Sequence, residues 1–215
     1  MTATEVIPQP RRAIGRRVPL PTESLLNLRT LGRPDFAIVV YGEPVSQGSK
    51  GAAGSYRKRT KSGAVVTVPR LVDSSDLATK TRAPGGLSRW RGAIAAAAIE
   101  AMPHDWKPLD GPLVADTIVS LPRLAATPKT LRTLPVSSED LSKLTRATED
   151  ALGTTCAQVG RRVPVLINDA RITDYRRLAK VFAGDPLDPD ALPRPGAVIR
   201  LWRYPVDLLG KVHHA

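Results

Sequence analysis

The sequence is short of soft metal ligands and of thiols. Its 215 residues include one cysteine, Cys156, and three histidines, two of which, His213 and His214, sit at the C-terminal tail. One cysteine excludes a disulfide framework, and so few Cys and His side chains leave nothing from which to build a zinc site. Any metal has to be held by oxygen, which suits Mg²⁺, with Mn²⁺ as the alternative. Aromatic residues make up 4% and do not alternate with the basic ones, which argues against a surface that binds single strands by stacking bases. Long apolar runs are missing too. A membrane span needs roughly 18 apolar residues, and the stretch from Ala93 to Met102 is short and interrupted by Glu100. The first residues are polar and hold no apolar signal core, so the expectation is a cytoplasmic protein with no membrane partner.

Acids are scarce relative to bases. There are 20 Asp and Glu against 32 Lys and Arg, for a net charge of +12 and a pI near 10.4. A surplus of that size in so short a chain favours a polyanionic partner. It is also concentrated. Residues 50–91 carry ten cations (Lys50, Arg57, Lys58, Arg59, Lys61, Arg70, Lys80, Arg82, Arg89 and Arg91) against Asp73 and Asp76. A solvated basic surface would account for the cluster, and so would contact with a nucleic-acid backbone. The latter makes Lys50, Arg57, Lys58, Arg59 and Lys61 the candidate phosphate contacts, with Lys143 beside them.

With 42% hydrophobic residues the chain has material for one ordinary core. Residues 1–34 are rich in Pro and Arg and read as a flexible basic arm, with a short helix over Glu23 to Leu31. FAIVVYG (36–42) is a β-branched run expected to form a buried strand. PVSQGSKGAAGSYRKRTKSG, rich in Gly and Ser and strongly basic, reads as a mobile loop with a short strand VVTV (65–68) on its far side. Leu87, Trp90, Ile94, Ala97 and Ala98 form one stripe of a helix from Leu87 to Met102, with Ser88 as its cap and Pro103 as its stop. PLVADTIVSLP (112–122) alternates as a strand does. A second helix is expected over 138–152, with Leu141, Leu144, Thr148, Ala151 and Leu152 as the buried stripe and Ser137 as a cap. Ile172–Phe182 and Ala197–Tyr204 read as two further strands. The order β, loop, α, β, α, β, β implies a single α+β domain over residues 35–205, a small mixed sheet with two main helices packed on it, followed by a tail at 206–215.

Two acidic places stand out. Glu139 and Asp140 open the second helix, where negative charge complements the helix dipole and the free N–H groups. They serve there as capping acids or as ligands awaiting a cation. Asp169 follows Asn168 as a strand is about to begin, and Asn-Asp is equally good turn chemistry. Two other acids lie too far away to share a metal with these. Asp150 is about 15 Å along the helix from Asp140, which leaves it a structural or supporting role, and Asp174 is about 16 Å along the strand from Asp169.

Taken together, these segments resemble the RusA family of Holliday-junction resolvases. The helix pattern runs through Asp140, Leu141, Lys143, Leu144, Arg146, Asp150, Ala151 and Leu152, and Asp169, Ala170, Arg171 and Ile172 follow it. The segment YGEPVSQGSK after the first strand is similar to the family as well, and the likeness extends over roughly residues 36–204. The chain departs from the pattern in having Ser142 and Asn168 where the family usually has Asp, and Arg146 where it has lysine. Its connection of 16 residues between Leu152 and Asp169 is also longer than usual.

The resemblance implies a Mg²⁺-dependent endonuclease that cuts branched DNA as a homodimer across a four-way junction, with no small-molecule cofactor. It further implies Asp140 and Asp169 as metal ligands and catalytic acids, Ser142 as a weak third ligand with Glu139 in reserve, and Arg146 as a cation for charge developing on phosphate. Such hydrolysis needs carboxylates that hold Mg²⁺, so that the metal polarises the phosphate and activates water. The competing reading is a non-catalytic DNA- or RNA-binding module on the same fold, its metal site eroded at Ser142. A third is a basic protein associated with RNA or the ribosome that prefers no branch.

Overall fold

The computed structural model describes residues 31–77, 85–125, 127–128, 133–136, 139–158 and 163–204. The expected arm helix at 23–31 and the tail at 206–215 lie outside this set, apart from Leu31. Four strands form the main sheet: β1 (Phe36–Tyr41), β4 (Leu113–Leu121), β5 (Ile172–Phe182) and β6 (Gly196–Arg203), in the order β1-β6-β4-β5. Pairing is antiparallel between β1 and β6 and between β6 and β4, and parallel between β4 and β5. A separate ribbon pairs β2 (Lys50–Arg59) with β3 (Val65–Asp73). The helices are α1 (Gly86–Ala101) and α2 (Leu141–Asp150). The chain is therefore α+β with a small mixed sheet, as the residue pattern implies. None of the helices among the described residues is long and apolar enough to cross a membrane.

Both helices lie on the same face of the sheet. α1 buries Leu87, Trp90, Ile94, Ala95 and Ala98, and α2 contributes Leu144 and Ala147. They pack on Ile38, Ala115, Val119, Ile199 and Leu201, which the strand alternation places on that side. Burying one side chain such as Leu144 is worth about 1.5–3 kcal/mol, so this layer is where the fold gains most. β4 shows more burial than its alternation requires, because all nine of its residues are buried. Its second face is covered by residues 183–195, which send Leu192 onto Ile118, Val181 and Val198, and by Leu31 and Tyr204 against Val114 and Trp202. The Trp202 indole donates to Gly32 O at 2.8 Å, so among the described residues contact with the sheet extends to Gly32, ahead of the expected boundary at 35.

Three expectations are corrected here. The stretch from Lys50 to Arg59 is a strand, and β3 runs on to Asp73, well past Val68. Gly and Ser suggest a loop locally, but cross-strand pairs such as Tyr56 with Val68 and Lys58 with Val66 supply the ladder. Helix α1 is entered through Gly85 in the left-handed region with no side-chain cap. Ser88 lies inside the first turn, where its N–H and hydroxyl both donate to Asp76. Helix α2 starts at Leu141, later than residue 138. It continues beyond 152 through a π-helical turn (Ala151–Thr155) and a final α-turn (Cys156–Gln158).

Candidate functional site

Asp140 stands at the start of α2. Asp140 is the N-cap, and its Oδ1 accepts from the Ser142 hydroxyl at 2.7 Å and from the Ser142 N–H at 2.9 Å. Those two bonds hold its carboxyl below the ordinary aspartate value, aided by the Lys143 amide and charge. Ser142 therefore commits its hydroxyl to Asp140, and Asp140 itself fills the cap position expected for Ser137, which lies outside the described residues. Glu139 accepts from Ser46 Oγ, and its backbone carbonyl accepts from Lys180 Nζ at 2.8 Å. Lys143 is exposed, and its carbonyl receives the Gln47 N–H at 3.2 Å.

Asp169 lies at the opposite end of that helix. Residues 169–171 form a 3₁₀ turn before β5, capped by Asn168 Oδ1, which accepts from Ala170 N–H at 2.8 Å. Asp169 Oδ1 accepts from the same N–H at 2.9 Å. The turn reading of Asn168-Asp169 is thus correct locally. A cleft of about 100 Å³ is lined by Glu149, Asp150, Gly153, Ile167, Asn168 and Asp169. Ten residues of helix separate Asp140 from Asp150, or about 15 Å. The expected pairing of Asp140 with Asp169 around one metal is therefore not made within a chain. The β4–α2–β5 connection explains this: α2 returns antiparallel to two parallel strands, so its start and the start of β5 fall at opposite ends of the sheet.

The acids that do meet Asp169 are Glu149 and Asp150. Glu149 is half-buried and accepts from Tyr175 Oη on β5. Burial pushes its carboxyl above the ordinary value, and the charges of Asp169 and Asp150 push it further, against the Tyr175 bond and the charge of Arg146. Burial and the same carboxylate push the Tyr175 hydroxyl up as well. Arg146 is exposed and belongs electrostatically with Glu149, one turn along, rather than with Asp140. Asp150 is ion-paired with Arg91 of α1, the structural role expected of it.

Asp150 and Arg91 also line a larger cleft of about 720 Å³ at the foot of the ribbon, together with Lys50, Arg70, Asp73 and Asp76. The two clefts meet at Asp150, which puts the cations of the ribbon base next to the carboxylates around Asp169. Arg57, Lys58, Arg59 and Lys61 stand farther out on the ribbon and its turn, all exposed. Lys80 and Arg82 lie outside the described residues.

Among the described residues, no group of three or more His, Cys, Asp or Glu side chains is arranged to hold a metal ion. The donor types nonetheless suit one: Glu149 and Asp169 carboxylates and the Asn168 amide oxygen are hard ligands of the kind Mg²⁺ takes, with water completing the shell. Sequence reasoning missed Glu149 and Tyr175. The available signal was Glu149 directly preceding Asp150 on the helix, three residues after Arg146. No protein-family model matches the chain, and no curated protein matches it.

Proposed function

We propose that this protein is a Mg²⁺-dependent endonuclease acting on branched DNA, with its acids at the C-terminal end of α2. The observation that carries the reading is the meeting of the two clefts at Asp150. It sets a row of cations able to grip phosphates beside a crowded set of oxygen ligands. Glu149 and Asp169, with Asn168, would hold the ion, which would polarise the scissile phosphate and lower the pKa of an attacking water. The chain's own residues do the rest. Tyr175 and Arg146 keep Glu149 in place and ionised, Arg91 fixes Asp150, and Lys50 and Arg70 hold the flanking backbone. Its place of work is the cytoplasm; the family resemblance implies that its substrate is a four-way junction bound by a homodimer.

The test is nicking of a synthetic four-way junction by the full chain in Mg²⁺ and in EDTA. Cleavage should appear with Mg²⁺ (or Mn²⁺) and vanish in EDTA. Asp169→Asn and Glu149→Gln should each slow it by on the order of 100-fold, since even groups that only support a metal ligand are worth 10- to 100-fold. Asp140→Asn should keep cleavage, because asparagine caps a helix as well as aspartate. Loss in Asp140→Asn, with recovery when that variant is mixed with Asp169→Asn, would instead make the site shared between two copies.

A second reading rests on how fully the acids are engaged. Asp140 is held by Ser142, Asp150 by Arg91 and Glu149 by Tyr175. That arrangement favours a non-catalytic nucleic-acid-binding module. Tight, salt-sensitive junction binding with no nicking in Mg²⁺ or Mn²⁺ would establish it.

A further inference from the structure

The ribbon stands apart from the core in a way that loop chemistry does not explain. Its strands pair with each other, and from Gly54 to Thr67 every described residue is exposed except Thr60, on both faces alike. An isolated two-stranded hairpin is marginally stable in water, so a long one projecting from a domain calls for a partner that covers it. Between Lys50 and Val72 the sequence has six cations and no acid. At about 3.3 Å per residue, the ten residues of β2 reach about 33 Å.

The cross-strand register divides the cations between the faces. Tyr56 opposite Val68 and Lys58 opposite Val66 share one face, while Arg70 lies beyond them, where the register shifts between Ala52 and Ser55 and the chain turns into the cleft at the ribbon's foot. Arg57 opposite Thr67 and Arg59 opposite Val65 share the other. Docking flat on a polyanion would use one face only and leave the cations of the other without a counter-charge. Cations on both faces suit an anionic wall on each side. The B-DNA major groove has that shape: about 12 Å wide and about 8.5 Å deep, it accepts a two-stranded ribbon between two phosphate rows. The minor groove, about 6 Å wide, does not, and the major groove of A-form RNA is too narrow and deep for side chains to read.

We infer that the β2–β3 ribbon enters the major groove of B-form DNA. Arg57 and Arg59 then contact one phosphate wall, and Lys58, on the face that also carries exposed Tyr56 and Val66, contacts the other. The inference rests on the proposed action on DNA and specifies how the duplex arms are held.

The experiment combines footprinting and salt dependence with the full chain. Dimethyl sulfate methylates guanine N7, which lies in the major groove. Wild-type protein should suppress methylation over a few base pairs of a duplex or junction arm. It should also bind duplex DNA in preference to duplex RNA of the same sequence. Each phosphate that a cation neutralises adds about 0.9 to the magnitude of the log–log salt slope. Arg57→Ala with Arg59→Ala should therefore lower that magnitude by about 1.8, and Lys58→Ala on the other face by about 0.9. Wild-type N7 protection needs no variant, so it stands whatever the substitutions do to folding. DNA binding without N7 protection, equal affinity for the RNA duplex, or a slope that responds to one face only would each overturn the inference while leaving the proposed function standing. Failure to bind any DNA would overturn both.

Discussion

At the scale of single residues, Glu149 carries the most consequential electrostatics, because burial and two neighbouring carboxylates all act against its charged form. A carboxyl raised in the fold binds more protons there than in the unfolded chain. Its linkage therefore makes stability fall as pH rises from the ordinary glutamate value of 4.5 through the raised one. Glu149→Gln removes that titration while keeping an oxygen for Tyr175 Oη. The variant should melt above wild type at pH 7–8 and match it near pH 4; identical melting-temperature profiles across that range would show that Glu149 is not under charge stress. Asp140 presents the opposite case. Its place at the start of a helix and a capping role were legible from sequence, although it sits one residue before the first turn, as the N-cap. Its separation from Asp169 was not legible, because a shared motif says which residues occur and not which ends of a helix and a strand face each other. Glu149 with Tyr175 was equally hidden: the bond joins residues 26 apart and exists only because α2 lies over β5.

At the scale of elements, the strands of the sheet and both helices were legible in the sequence, although β1, expected to be buried, exposes every second residue and β4, which alternates in sequence, is buried on both faces. The ribbon was not, because it buries neither face, and its composition resembles a loop. Its strand character comes from pairing across the turn at 60–64. There Thr60 N–H donates to Ala64 O at 2.8 Å, and Gly63 takes φ +85°, a conformation glycine adopts freely. The base of the ribbon is fixed just as tightly. Gly48 N–H donates to Asp73 Oδ1 at 2.8 Å, and the same oxygen accepts from Ser75 N–H at 2.9 Å. A Cβ on Gly48 would lie 2.1 Å from Ser74 Oγ and 2.8 Å from Asp73 Oδ1, so an alanine there has to push Asp73 off both donors. Gly48→Ala should cost about 1–3 kcal/mol, the usual range for overpacking, and should speed amide exchange along β2 and β3. Gly51→Ala, where a Cβ meets nothing within 4 Å, is the matched control and should leave exchange unchanged. Equal exchange in the two variants would mean that the ribbon base is not held by this contact.

At the scale of the whole molecule, charge is sorted by location. On the face of the sheet away from the helices, Asp116, Asp188 and Asp190 meet Arg176, Arg177 and Arg200 in one balanced network. Arg176 Nε reaches Asp116 at 3.0 Å, Arg200 joins Asp116 at 3.3 Å, and Asp190 receives Arg177 and Arg200 at 2.6 Å each. Arg176 also stacks 4.3 Å from the Trp202 ring centre. Because three bases cancel three acids there, the surplus of +12 is carried elsewhere, chiefly by residues 50–91. One part of the charge distribution therefore serves the fold and another the partner, and substitution can separate them. Asp116 is fully buried, and Asp116→Ala would leave Arg176 and Arg200 facing a partly desolvated space with no counter-charge from β4. Breaking a buried pair by removing one partner costs about 3–5 kcal/mol, so the urea midpoint of the variant should drop sharply. Its salt slope for DNA, measured where it remains folded, should stay at the wild-type value, because no cation of the ribbon is touched. A changed slope would place this network in the DNA interface, and an unchanged midpoint would mean that Arg176 and Arg200 are satisfied by solvent and Asp190 without it.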